Sequence, residues 1–67
     1  MQNRIKLLRT EEGWSQASLA EHLGVSRQSV NAVETGKFDP SLPLAFAIAK
    51  LFGKTIEEIF IPEGDET

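Results

Sequence analysis

The chain has no cysteine, so neither a disulfide nor a thiolate metal site can staple it. Its single histidine, His22, has no cluster of acids around it. No metal-ligand spacing or glycine-rich phosphate loop appears either. No stretch approaches the roughly 18 apolar residues of a membrane span, and the first residues lack a secretory apolar run. Basic residues are scarce too: seven Lys and Arg stand against ten Asp and Glu, a net charge of −3. These absences argue against an enzyme, a metal or cofactor, a membrane partner and an evident small-molecule ligand. They also make the cytoplasm the default compartment. A chain of 67 residues makes one domain, and a domain of that size buries only about 60% of the surface its unfolded chain exposes. Small scaffolds without staples often gain stability by oligomerising, so a homodimer is expected before any motif is considered.

The charge is unevenly placed. Residues 1–53 hold six basic and five acidic residues, whereas residues 54–67 hold Lys54 against Glu57, Glu58, Glu63, Asp65 and Glu66. The acid therefore concentrates at the end of the chain, and a weak local basic face remains available elsewhere.

Five short helical segments can be read. The first covers about residues 3–12, with Ile5, Leu8, Arg9 and Glu12 on one stripe and Gly13 ending it. Ser15 caps a second that buries Leu19, Ala20 and Leu23. Ser26 caps a third running to Thr35 and stopping at Gly36. Pro40 pushes Asp39 out of the helical region, so residues 37–40 form a loop. Ser41 caps a fourth helix with Leu44, Ala45, Ile48, Ala49 and Phe52 inward, closed by Gly53. Thr55 and Glu58 form a capping box for a fifth with Ile56, Ile59 and Phe60 inward. Helices of about ten residues joined by loops of two to six fit a compact all-α five-helix bundle. The domain is expected over residues 1–61, with a short acidic tail over 62–67.

Within that bundle, residues 16–35 read as two helices joined by a tight turn at Gly24-Val25, the layout of a helix-turn-helix. Ala20 lets the second helix of the unit pass close by, and Val30 and Val33 give it an apolar side. Its other side carries Gln28, Ala32 and Thr35, with Asn31 on the shoulder and Arg27 reaching forward from the first turn. Arg suits guanine, Gln or Asn suits adenine, and Ala suits a thymine methyl. Around this face, Gln16, Ser15, Ser26, Ser29, Thr35 and Lys37 are candidate donors to backbone phosphates. Arg9 and Glu34 each fall on the apolar side of a helix, where an unpaired charge is costly. They are expected to face each other and so orient the reading helix.

The segment SQASLAEHLGVSRQSVNAVETGK resembles the Cro and phage-repressor (XRE) helix-turn-helix family. The downstream DPSLPLAFAIAKLFGKTIEEIF is similar to the short stand-alone bacterial members, so the resemblance covers about residues 3–61. It implies a lambda-repressor-like domain that binds operator DNA, usually as a dimer on a two-fold site. By position it implies that Gln16 touches a phosphate and that Arg27, Gln28 and Ala32 reach base edges, with Asn31 a further candidate. It places Arg9 and Glu34 at a buried salt bridge and Lys37 in a loop that touches the backbone. Three departures stand out. Ala32 is shorter than the polar residue some members carry there, so only a methyl contact is expected from it. Trp14 is larger than the usual aliphatic residue and is read as a cover on the core. Short members also often add a C-terminal dimerisation strand, which Ile59-Phe60-Ile61 would supply but for Pro62.

Phe46, Leu51, Phe60 and Ile61 exceed what one apolar stripe needs, and with Ile59 they are the expected dimer interface. The function this points to is a sequence-specific double-stranded-DNA regulator, with repression the expected outcome. The competing reading is a protein-interaction or antitoxin-like module on the same fold, favoured by the negative net charge. Against it stands a reading face of Arg, Gln, Asn and Ala.

Overall fold

In the computed structural model, which describes residues 1–62, the first helix α1 spans Ile5–Glu11 and the next, α2, spans Gln16–Leu23. The chain continues through α3 (Arg27–Glu34), α4 (Leu42–Phe52) and α5 (Ile56–Ile59). Four of these starts use a hydroxyl oxygen to accept a backbone N–H that the helix itself leaves without a partner. Ser15 accepts from Ser18, Ser26 from Ser29, Ser41 from Leu44 and Thr55 from Glu58. Thr55 and Glu58 complete the reciprocal box, because the Glu58 carboxylate accepts from the Thr55 N–H at 2.8 Å. Beyond Pro62, the expected acidic tail lies outside the described residues.

The turn between α2 and α3 is set by Gly24, whose φ of +71° places it in the left-handed region. The Val25 N–H then reaches back to the Ala20 carbonyl at 3.0 Å and closes α2.

The core is drawn from every helix. Ile5, Leu19, Ala20, Val30, Val33, Ala45, Ile48, Ala49, Ile59 and Phe60 are buried, and Leu8, Trp14, Leu23, Leu44, Leu51, Phe52 and Ile56 pack around them. Trp14 does cover this core: its ring lies 5.9 Å from that of Phe52 and stacks on His22 at 4.3 Å. His22 is thus an exposed residue with an aromatic neighbour. Glu12, expected on the stripe of α1, is exposed.

Two strands extend the expected all-helical plan. The first, β1 (Gln2–Asn3), pairs antiparallel with β2 (Phe60–Ile61), Gln2 opposite Ile61 and Asn3 opposite Phe60. The first helix therefore starts later than residue 3, and the last gives way to strand after Ile59. A strand does form at the foreseen position, but it pairs with the chain's own beginning. This pairing corrects the expected dimer interface. Ile59 is fully buried and Phe60 is 4% exposed, because α5 and β2 close the underside of the core. Neither is surplus apolar surface. Leu51 and Ile61 are half-buried, and Phe46 is 58% exposed.

Candidate nucleic-acid interface

One side of α3 is locked. Val30 and Val33 are buried in the core, and the Glu34 side chain, 3% exposed, lies against Arg9. Arg9 Nε donates to Glu34 Oε2 at 2.6 Å, and a terminal nitrogen donates to Oε1 at 3.2 Å. The remaining guanidinium nitrogen donates to the Trp14 carbonyl at 2.8 Å. Gln16 Nε2 adds a donor to Glu34 Oε1 at 3.1 Å. The two charges thus sit in a satisfied network that ties α1, the first turn and the start of α2 to the end of α3.

The other side of α3 is open. Arg27, Gln28 and Asn31 are exposed and Ala32 is half-buried. Among the described residues, the side chains of Arg27, Gln28 and Asn31 make no intramolecular hydrogen bond. Helix α3 therefore carries an anchored face and a face of unengaged donors and acceptors, the division a helix reading base edges requires.

The six candidate phosphate donors divide. Lys37 is exposed, its backbone N–H fixed to the Ala32 carbonyl at 3.0 Å, so the ammonium extends from a pinned base. Gln16 uses one amide proton on Glu34, which orients the side chain and leaves the second proton free. Ser15 donates to Ser18 Oγ at 3.2 Å while capping α2. Ser26 and Ser29 share one hydrogen bond at 2.9 Å between their hydroxyls. That pair has two protons and uses one, so one outward donor remains. Thr35 differs: its hydroxyl donates to the Asn31 and Ala32 carbonyls at 2.9 and 3.3 Å. Its proton is engaged within α3, and rotation would be needed to free it.

Asn3 escaped sequence reasoning. It donates to the Val33 carbonyl at 2.8 Å and so touches the same end of α3 as Glu34. The available signal was a cap-type residue just ahead of an apolar periodic run. Among the described residues there is no cluster of His, Cys, Asp or Glu able to hold a metal ion, and no helix long and apolar enough to cross a membrane.

The helix-turn-helix family model matches residues 5–59, most of the chain. The chain belongs to the helix-turn-helix family of Cro and phage-repressor type. Among its helix-turn-helix relatives is an uncharacterized HTH-type transcriptional regulator of Methanocaldococcus jannaschii, 56% identical over 98% of this chain and all of that one. Another, from Bacillus subtilis, is 47% identical over 90% of this chain and 91% of its own length. Among solved structures, the restriction-modification controller protein of Aeromonas hydrophila superposes with a TM-score of 0.76. That match has 35% identity and covers 85% of this chain and 86% of the controller. The chain is accordingly a DNA-binding regulator by family.

Proposed function

We propose that the chain binds a two-fold DNA operator in a sequence-specific manner as a homodimer, with α3 in the major groove. Arg27, Gln28, Asn31 and Ala32 meet base edges, while Ser15, Gln16, Ser26, Ser29 and Lys37 meet the backbone. The observation that carries this reading is the two-sidedness of α3, anchored through Val30, Val33 and Glu34 and unengaged at Arg27, Gln28 and Asn31. The outcome we assign to that binding is repression, by occupying a site that polymerase needs.

A homodimer is favoured by size. The described chain measures 34 × 22 × 20 Å and carries a single reading helix, so a two-fold site about 34 Å between half-sites needs a second copy. With Ile59 and Phe60 inside the core, we assign that contact to α4, where Leu42 and Phe46 are 64% and 58% exposed.

The test is selection of bound duplexes from a random pool of about 30 base pairs at near-physiological salt. An enriched inverted repeat with half-sites about one helical turn apart is the expected result. Folded protein that enriches no sequence would favour the interaction-module reading and direct the search to protein partners.

A further inference from the structure

Asn3 is half-buried in β1, and each end of its carboxamide meets backbone. Nδ2 donates to the Val33 carbonyl at 2.8 Å and to the Met1 carbonyl at 3.3 Å, while Oδ1 accepts from the Ile5 N–H at 3.1 Å. Two acceptors on one side and a donor on the other fix which end of the amide is which. The Val33 carbonyl lies in the last turn of α3, where helix carbonyls lack partners further along the helix. It already accepts the Gly36 N–H at 3.1 Å, so Asn3 supplies its second hydrogen bond.

Asn3 is itself held in place. It pairs across the ribbon with buried Phe60. Its neighbour Arg4 donates its N–H to the Ile59 carbonyl at 2.8 Å and its guanidinium to the Glu58 carbonyl at 3.0 Å. The Asn3 side chain thus joins the start of α1 to the end of α3, while its backbone pairs with the strand that follows α5.

We propose that Asn3 is a positioning residue for α3, an inference that rests on α3 being the DNA-reading helix. Glu34 is restrained through its side chain by Arg9 and Gln16, and Val33 is restrained through its carbonyl by Asn3. Val30 and Val33 seat α3 on the core, and the two polar attachments, made to different parts of the fold, fix the direction of its end. The lever is long enough to matter. Val33 lies about 9 Å along the axis from Arg27, so a pivot of about 10° moves Arg27 by about 1.5 Å. A paired hydrogen bond to a base does not survive that displacement.

Two variants test the inference. Asn3→Asp keeps an acceptor for Ile5 but points a carboxylate oxygen at the Val33 carbonyl; Asn3→Ala removes both contacts without repulsion. Residual dipolar couplings of the free protein read the orientation of α3 against α4. Affinities for the selected operator and for a scrambled duplex are measured well below each variant's Tm. Expected are a reoriented α3 and an operator affinity reduced about tenfold, the cost of one mismatched base contact, with the scrambled duplex bound as before. Couplings identical to wild type would overturn the inference. So would equal losses on both duplexes that track the unfolded fraction. Wild-type protein that binds every duplex alike would instead defeat the DNA-reading assignment, and a reoriented α3 in the variants would still establish the clamp.

Discussion

At the scale of single residues, the Arg9–Glu34 pair separates structure from recognition. Both partners are nearly buried, so removing one leaves the other charged and unmatched. Glu34→Ala is expected to lower the unfolding free energy by about 3–5 kcal/mol, read by urea denaturation. Replacing both, Arg9→Met with Glu34→Leu, should recover most of that loss, because the desolvation of two charges disappears with them. Arg27 and Lys37 act differently, since both are exposed and neither supports the core. Arg27→Ala is expected to cost about 1–3 kcal/mol against the operator and to relax preference at one base position. Lys37→Ala should weaken all duplexes alike and flatten the salt dependence. Binding titrations on matched and mismatched duplexes distinguish the two. The pair was legible in the sequence because a charge on an apolar stripe demands a partner. Asn3 was not: a polar residue near the chain start has many uses, and only the fold brings Val33 to it. The involvement of Thr35 in its own helix was hidden for a related reason, since exposed and helix-bound hydroxyls look alike in a sequence.

At the scale of elements, the caps and turns were legible because each depends on residues within four positions of one another. Gly24 illustrates how strong such a local signal is. Its φ is +71°, and a Cβ added there would meet no atom within 4 Å. The cost of Gly24→Ala is therefore conformational, about 1–2 kcal/mol, and Gly24→Asn should recover part of it; thermal unfolding of the two variants checks this. The capping box of α5 adds a dependence on pH. The hydrogen bonds that Glu58 accepts from the Thr55 N–H and makes with the Thr55 side chain lower its pKa below the ordinary 4.5, with Lys54 adding to the effect. A carboxyl whose folded pKa is depressed stabilises the fold above its unfolded value and loses that contribution as pH falls through the folded one. Glu58→Gln, which keeps an acceptor for Thr55, is expected to remove this component of the acid transition below 4.5. Acid titrations of wild type and variant followed by circular dichroism provide the comparison. The β1–β2 ribbon left no such local trace. Each strand is two residues long and the partners lie at opposite ends of the chain, so no periodicity within either segment announces the other.

At the scale of the whole molecule, the ribbon changes which apolar residues are available for assembly. Substituting Phe60 by Asp would place a charge among core side chains and would report on folding. Phe46→Asp acts instead on an exposed side chain of α4 and leaves the core intact. It is expected to give a folded monomer with weakened operator binding, measured by sedimentation and by titration. A persistent dimer would move the contact away from α4. The bundle as a whole was legible, because each helix carries one apolar stripe and five stripes can share one core. The use of the surplus apolar residues was not, because burial on the underside of a bundle and burial between two bundles require the same side chains.

The pairing of Gln2 with Ile61 also bears on how this domain can be joined to others. Chains entering at β1 and leaving from β2 do so side by side, so the bundle can be inserted into a host loop without stretching it. Both doors open beside the end of α3. The Met1 amino nitrogen lies 3.3 Å from the Gly36 carbonyl and 3.1 Å from Asp39 Oδ1, against the loop that follows α3. A fusion partner or affinity tag attached ahead of β1 emerges beside the end of α3 and would crowd a duplex docked there. A chain continued after β2 leaves from the same end of the ribbon, where Ile61 lines one cavity with Glu34, Thr35 and Gly36, so a handle for immobilising the protein on a sensor surface needs a spacer at either strand.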